Sequence, residues 1–331
     1  SPNQGNALIM AAHSENVDAV KYLVEKGMDV NFISPNQGNA LIVAASNGQL
    51  ETVTYLLGKG AEIDRISPNQ GTALISASSN GQLAVVTFLV DKGADVNRVS
   101  PNQGSAVNAA AANGHEKVME YLIAAGADLN QNTNSHGSPI ISAAKNGSLE
   151  SVEYLINNGA DINSQNNGQG SALNAAARNG INATVELLLS KGANINAQTN
   201  GQGSALNAAA RNGYLSTVKL LLEKGADIDL QNNGQGSALN AAARNGHLNI
   251  VELLISKGAN IDLQNNGQGS ALNAAARNGR LEIVKLLVSK GADVNLYSNG
   301  QGTALSAASR NKQQEIVDYL LSNGAKHIYG N

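Results

Sequence analysis

The 331-residue sequence contains no cysteine and no tryptophan, and it has few aromatic or charged residues. Without cysteine the chain can form no disulfide, no thiolate metal site and no thiol nucleophile. Aromatic residues are 3% of the chain, which leaves no stacking platform for bases, and the net charge of -3 gives no reason to expect phosphate binding. We therefore expect no nucleic-acid partner.

Long apolar runs are absent too. No stretch reaches membrane-spanning length and no signal peptide is visible, so we expect no membrane insertion. The sequence begins with Ser1, in mid-pattern and without Met, which indicates processing or excision from a longer protein. The residues do not fix a compartment, although an extracellular or cell-surface position is slightly favoured over a cytoplasmic one.

Charged residues are 14% of the chain, against an ordinary share of about a quarter, and asparagine, glutamine, serine and glycine replace them. These residues belong to one repeated pattern. Residues 166–180 read NNGQGSALNAAARNG, and the same letters return almost unchanged 33, 66 and 99 residues later. A strict period of this size is typical of a solenoid, in which each unit packs on its neighbours.

The period runs through the whole chain. It places an apolar residue in one column without gap or insertion: Leu8, Leu41, Leu74, Val107, Ile140, Leu173, Leu206, Leu239, Leu272 and Leu305. We predict a single elongated array of about ten repeats, near residues 1–33, 34–66, 67–99, 100–132, 133–165, 166–198, 199–231, 232–264, 265–297 and 298–331.

Each repeat is predicted to form a finger, a helix, a turn and a second helix. In residues 166–170 the Asn-Gly and Gly-x-Gly sequences supply the positive φ angles of a hairpin tip. Ser171 is expected to cap a short helix that runs to Arg178, and Gly180 to end it. A second helix with apolar residues at helical spacing is expected to stop before a glycine such as Gly225.

The first and last repeats differ from the inner ones. Repeats one to four carry Ser-Pro-Asn-Gln-Gly, so fingers are expected to begin at Ser1, Ser34, Ser67 and Ser100. The glycine between the two helices is replaced by Glu15 in the first repeat and by Lys312 in the last. The last repeat also has polar Ser309 and Gln314 where inner repeats have alanine and leucine, which is typical of a terminal cap.

The order of finger, S/T-x-L-x-x-A-A, helix and the loop Gly225-Ala226-Asp227-Ile228-Asp229 resembles the ankyrin repeat over the whole chain. The usual Thr-Pro-Leu-His is replaced by Ser-Ala-Leu-Asn, and the G-x-G fingers resemble some bacterial arrays. The resemblance implies an all-α ankyrin-repeat solenoid with β-hairpin fingers. We expect Asn174 and its equivalents to replace the family's histidine network with a buried hydrogen-bonding ladder.

No constellation for catalysis, a cofactor or a metal is found. The five histidines share no spacing, and His115 and His247 occupy a turn position where ankyrin repeats often have histidine. The segment beginning at Asp229 half-resembles a calcium loop, but its twelfth position is Asn240 where such a loop needs glutamate. Gly-Gln-Gly lacks the third glycine of a dinucleotide fingerprint. We therefore expect no enzyme activity, no cofactor and no metal.

The remaining candidates are binding residues on the concave side, where the family uses finger tips and first-helix ends. In the sixth repeat these are Gln165, Asn167, Arg178 and Lys191. Basic residues recur at two positions of successive repeats and form two columns. One contains Arg178 with Lys145, Arg211, Arg244, Arg277 and Arg310, and the other contains Lys191 with Lys224, Lys257 and Lys290. With repeats about 10 Å apart, the first column is a basic stripe of roughly 50 Å.

Three interpretations of these columns and of the array stay open. The charges can be solvated and hydrogen-bonded to neighbouring asparagine and glutamine, without binding anything. They can bind a protein or a periodic polymer such as a polyanion, in a noncatalytic scaffold. Alternatively, the array is a structural protein whose copies self-associate end to end as a filament, since Asn331 followed by another copy's Ser1 nearly continues the period.

Overall fold

The computed structural model describes residues 2–199, 203–232, 236–265, 267 and 269–327. The chain divides into two compact units, residues 1–172 and residues 173–331. Each unit consists of adjacent pairs of short α-helices stacked one pair on the next, which confirms the expected all-α class of helix-turn-helix repeats. None of the described helices combines the length and the apolar character needed to cross a membrane. The single continuous array stays a prediction.

The first unit contains five helix pairs and a short hairpin. Its elements are α1 (Pro2–His13), α2 (Val17–Glu25), α3 (Ala40–Ser46), α4 (Leu50–Gly58), α5 (Ala73–Ser79), α6 (Leu83–Asp91), α7 (Ala106–Asn113), α8 (Glu116–Ala124), α9 (Pro139–Asn146), α10 (Leu149–Asn157), β1 (Gln165–Asn166) and β2 (Gly170–Ser171).

The second unit repeats the same pair of helices. Its first helix starts at the last residue of the first unit, and its elements are α11 (Ala172–Arg178), α12 (Asn182–Ser190), α13 (Ala205–Asn212), α14 (Leu215–Glu223), α15 (Ala238–Asn245), α16 (Leu248–Ser256), α17 (Ala271–Arg277), α18 (Leu281–Ser289), α19 (Ala304–Arg310) and α20 (Gln314–Ser322).

The fingers are narrow hairpins. Strand β1 pairs antiparallel with β2, and Asn166 lies opposite Gly170. Other fingers close on one antiparallel bridge between residues four apart: 34 with 38, 67 with 71, 100 with 104, 133 with 137, 199 with 203, 232 with 236, 265 with 269 and 298 with 302. The finger expected at Ser1 is wrong, because the backbone is helical from Pro2, and proline is favourable in the first turn of a helix.

The first helix of each pair is short, capped and packed through alanine. In α13 the hydroxyl of Ser204 accepts a hydrogen bond from the Asn207 amide at 3.3 Å, which satisfies a helix-end donor. Gly213 ends the helix with a φ of +83°, a value that favours glycine. Leu206 is 1% exposed, and the three alanines that follow Asn207 are also buried. Small side chains here let neighbouring first helices pack closely.

The second helix supplies the larger apolar side chains. In α14 the buried residues are Thr217, Val218 and Leu221. The chain then turns at Gly225, whose φ is +87° and whose Cβ position has no atom within 4 Å. Glycine is needed at this turn for its backbone conformation alone, because there is space for a side chain.

The expected asparagine ladder is confirmed. Asn174 is 1% exposed, and its side-chain amide donates to the Gly203 carbonyl of the next repeat at 2.6 Å. The equivalent bonds join Asn108 to Gly137, Asn207 to Gly236, Asn240 to Gly269 and Asn273 to Gly302, at 3.1, 2.6, 2.8 and 2.9 Å. A buried amide in these repeats is therefore satisfied by the backbone of the neighbouring repeat.

The ladder shares its acceptor with the finger hairpin. The Asn232 amide donates to the Gly236 carbonyl at 3.4 Å, where Asn207 also donates. Where the preceding repeat has isoleucine in the ladder position, as with Ile42, the equivalent Ser67–Gly71 bond is 2.8 Å. The hairpin hydrogen bond is thus longer where the same glycine carbonyl also accepts from an asparagine side chain. After an isoleucine repeat the carbonyl, as in Gly71, is still paired by the hairpin bond alone.

The two end substitutions adopt the glycine conformation. Glu15 has a φ of +57° and Lys312 a φ of +58°, and they are the non-glycine residues with positive φ in the described part of the chain. Left-handed backbone is unfavourable for residues with a Cβ, by about 1–2 kcal/mol. The repeat geometry therefore imposes this turn even where the sequence no longer has glycine.

Candidate functional site

Five arginines form a repeated row in the second unit, which we call the arginine stripe: Arg178, Arg211, Arg244, Arg277 and Arg310. Each lies in the last turn of a first helix, directly after the buried alanines or at the equivalent position of the last repeat. The first four are partly buried and Arg310 is exposed. The stripe therefore emerges from the packed layer of first helices.

Neighbouring arginines are close enough to affect one another. Burial, followed by the charges of Arg244 and Arg178, lowers the pKa of Arg211. Burial and then Arg277 lower the pKa of Arg244, and burial and then Arg310 lower that of Arg277. The stripe is thus a row of like charges in a partly desolvated position, where an anion would be stabilised.

The last two arginines of the stripe also lie against a finger. A guanidinium nitrogen of Arg277 donates to the side-chain oxygen of Gln301 in the next finger. Arg310 donates to the backbone oxygen of the same Gln301. The last two arginines of the stripe therefore converge on one finger, and the cationic groups lie between helix ends and finger backbone.

Glutamines equivalent to Gln165 form hydrogen bonds between neighbouring repeats. Gln198 donates to the Gln231 carbonyl at 2.7 Å, Gln231 to Gln264 at 2.9 Å and Gln264 to Tyr297 at 3.0 Å. Gln165 is exposed, and its own carbonyl accepts a bond from Asn132 of the repeat before it. Although Gln198 and Gln264 are exposed, the side-chain amides of this column already bind the adjacent repeat in the second unit.

Asn167 occupies the tip of its finger. The side chain of the preceding Asn166 points back and accepts bonds from the amides of Gly168 and Gln169 at 2.8 and 3.1 Å. Asn167 itself is exposed. The hairpin is thereby stabilised by Asn166, and Asn167 is presented to solvent.

The lysine column lies apart from the arginine stripe: Lys191, Lys224, Lys257 and Lys290. Each is exposed and follows the second helix of its repeat, at the C-cap. In the sixth repeat the nine-residue helix α12 separates the turn after Arg178 from Lys191, which is about 13 Å along a helix axis. The structure brings the arginines and fingers together and places the lysines at the other end of the helix pair.

Lys145 is the equivalent of the arginines in the first unit. It is exposed in the last turn of α9 and lines a polar cavity of about 150 Å³ with His136, Asn108 and Ser142. Burial, followed by the charge of Lys145, lowers the pKa of His136. Sequence reasoning missed this cavity, because His136 replaces a glutamine of the finger and has no recurring spacing that would mark it.

The turn histidines have a structural role, as expected. His115 Nε2 lies 2.9 Å from the Ser79 carbonyl, and His247 Nε2 lies 3.0 Å from the Arg211 carbonyl, each at the end of the preceding first helix. The Asp229 carboxylate accepts the Asn260 amide at 2.9 Å, so it joins two loops. Among the described residues, no group of three or more acidic or histidine side chains is placed to hold a metal ion.

The chain matches the family model of ankyrin repeats, which spans three copies, over residues 1–67, 64–133, 107–199, 140–232, 173–265, 206–298 and 239–329. It is similar to the crystal structure of the human ASB11 ankyrin repeat domain, with 27% identity and a TM-score of 0.56 over 66% of this chain and 98% of that one. No curated protein matches the chain. The chain belongs to the ankyrin-repeat family.

Proposed function

We propose that the protein is a noncatalytic binding module that recognises a partner through the arginine stripe and the fingers beside it. Ankyrin repeats are generally protein–protein interaction modules. The observation that carries the proposal is recurrence, since a partly buried guanidinium returns at the same helix end in one repeat after another. In the family this is the concave side, and we assign recognition to it.

The distribution of charge supports an acidic partner. Residues 173–331 contain 14 lysine and arginine residues and 10 aspartate and glutamate residues, whereas residues 1–172 contain 8 and 15. The second unit is therefore net positive within an acidic chain, and a negatively charged partner is attracted to it. The lysine column lies at the other end of the helix pairs, away from the stripe.

A purely structural role predicts a different result. A cation in the last turn stabilises a helix through the helix dipole, by roughly 0.3–1 kcal/mol, and the arginines also bond to fingers. If that were their whole role, replacing them would lower stability and leave partner binding unchanged. The lysine column is the matched control, because its four members lie in four of the same repeats and carry the same charge.

Site-specific photo-crosslinking tests the proposal and does not require the partner to be identified first. A photoreactive residue replaces exposed Asn212 beside the stripe or exposed Lys219 on the second helix, and the full chain is irradiated in extracts of its source cells. We expect a discrete crosslinked protein from the first position only. Changing Arg178, Arg211, Arg244 and Arg277 together to alanine or glutamate should abolish it, and changing the lysine column to alanine should not. Crosslinking that persists in the folded arginine variants refutes the proposal.

Head-to-tail self-assembly is a second proposal, and the opposite charge balance of the two units favours it. The last helix argues against assembly, because Gln314 donates to Asp318 at 2.8 Å and gives α20 an exposed polar pair instead of an apolar end. Sedimentation velocity over a wide concentration range tests the idea. A filament-forming protein shows growing species as concentration rises or salt falls, and a strict monomer throughout rules assembly out.

A further inference from the structure

We propose that the arginine stripe takes an extended acidic polypeptide that carries a carboxylate at every third residue. The inference rests on the proposed function and specifies the chemistry of its partner. Three properties of the stripe lead to it: its pitch, the contact of its last two arginines with the neighbouring finger, and its low charge density of one arginine per repeat.

The pitch follows from helix packing. First helices α13, α15, α17 and α19 contact one another in sequence. Packed helices have axes about 8–10 Å apart, and each helix places one arginine in its last turn. The guanidinium groups therefore recur about every 10 Å, which agrees with the effect of each on the pKa of the next.

A chain in the polyproline II conformation matches this pitch. It has three residues per turn and rises about 3.1 Å per residue, so every third side chain points the same way about 9.3 Å further on. A flat β-strand does not match, because side chains three residues apart lie on opposite faces. An acidic residue at every third position therefore presents one carboxylate to each arginine.

The contact between the stripe and the last finger favours a thin ligand. Arg277 lies between the end of its own helix and Gln301 of the next finger, to which it donates. An α-helix with acidic residues seven apart would also repeat every ~10.5 Å, but its diameter of about 10–12 Å needs an open groove. A single extended chain is thinner and needs no such groove, and the partly buried guanidinium groups can reach it from one side.

The charge density of the stripe favours a peptide over a polyanion with more closely spaced charges. Each strand of duplex DNA carries a phosphate about every 3.4 Å, so roughly two in three phosphates would have no arginine of the stripe to pair with. A carboxylate every 9–10 Å pairs one to one. Each guanidinium has five N–H donors in a planar fork, so it can hold a carboxylate through two of them while keeping a finger bond.

Fluorescence anisotropy with labelled peptides and the full chain tests the inference. The probe peptide has five Asp-Pro-Pro triplets, which favour polyproline II. Its controls are a peptide of the same composition with the aspartates at one end, a helical peptide with glutamate at every seventh residue, and inorganic polyphosphate. We expect the triplet peptide to bind at least about tenfold more tightly than the clustered peptide, and the other two to bind no better than the clustered one.

Protein variants assign the binding to the stripe. Changing Arg178, Arg211, Arg244 and Arg277 to alanine should weaken binding by about tenfold or more, and alanine in the lysine column should change it less than about threefold. The same four changes to lysine keep the charge and the helix dipole but remove the planar fork, so they should fold and still lose several-fold affinity. Circular dichroism checks the fold of each variant.

The outcomes separate this inference from the proposed function. Equal binding of the triplet and clustered peptides, or tighter binding of the helical peptide or polyphosphate, overturns the extended-peptide inference. If crosslinking from Asn212 still depends on the arginines, the proposed function stands and its partner has other chemistry. Peptide binding that survives in the folded arginine variants overturns the role of the stripe itself.

Discussion

Replacing Asn207 tests how the buried ladder stabilises the stack. Asn207 is 1% exposed, donates to the Gly236 carbonyl at 2.6 Å and accepts from the Ser204 hydroxyl at 2.8 Å. Asn207→Ala removes both bonds, each with a net contribution of about 1 kcal/mol. The Gly236 carbonyl keeps its hairpin donor, the Asn232 amide, so it is not left unpaired. We expect the free energy of unfolding to fall by about 2 kcal/mol.

Asn207→Ile is the informative comparison, because other repeats have isoleucine there. In the repeat with Ile141, the Ser138 hydroxyl makes no hydrogen bond within the described part of the chain, and the repeat still folds. Isoleucine loses the same two bonds but restores buried apolar contact, of the order of 1–2 kcal/mol. We therefore expect Asn207→Ile to cost less than about 1 kcal/mol, with a shorter Asn232–Gly236 bond.

Urea unfolding followed by circular dichroism measures both variants, and hydrogen exchange of residues 232–245 locates the effect. Exchange is needed because repeat arrays often unfold in parts, so a single midpoint can miss a local change. Asn212→Ala is the control, since within the described part of the chain that exposed amide bonds to Ala208 of its own helix. The reasoning is refuted if Asn207→Ala changes stability by less than about 0.5 kcal/mol, or if isoleucine costs as much as alanine.

Three further predictions concern the turns and one titrating group. Gly213→Ala should cost about 2–3 kcal/mol in urea unfolding and Gly225→Ala only about 1, because a Cβ at Gly213 meets His247 Cε1 at 2.7 Å and one at Gly225 meets nothing. Lys312→Gly should raise stability by about 1 kcal/mol by relieving a φ of +58°, whereas Lys312→Ala should give no gain. Burial lowers the folded-state pKa of His136 below its ordinary 6.5, so the unfolded chain binds the proton more readily and stability should fall as pH drops below about 6.5. His136→Gln should remove that part of the pH dependence, and an unchanged profile would contradict the assignment.

Most of the fold follows from the period. The 33-residue spacing gave the pairs of helices and the buried leucine column, while Gly180 and Gly225 marked the turns. The role of Asn174 could be anticipated because a polar residue between buried neighbours needs a partner. The helical backbone from Pro2 was not anticipated, since the same five letters form a hairpin elsewhere and local preference alone does not decide between the two.

The candidate site was predicted less completely. Spacing identified Arg178 and Lys191 as repeated cations, but only the structure shows that the first is partly buried and that the second lies at the other end of the helix pair. The use of Gln198 and its equivalents to bond the next repeat was not visible either, because which side chains face a neighbouring backbone depends on the stacking of repeats. His136 carried no periodic signal at all.

The bonds of the asparagine ladder and of the turn histidines join residues 29 or 36 positions apart, as Asn207 with Gly236 and His247 with Arg211. Each reaches only the adjacent repeat. Removing or duplicating one 33-residue segment among the near-identical copies between residues 166 and 297 would therefore re-form the same bonds across the new junction. Recombination between such copies changes the length of the protein by whole repeats, and each product can still form the bonds between neighbouring repeats. The number of repeats can therefore change while the fold stays the same.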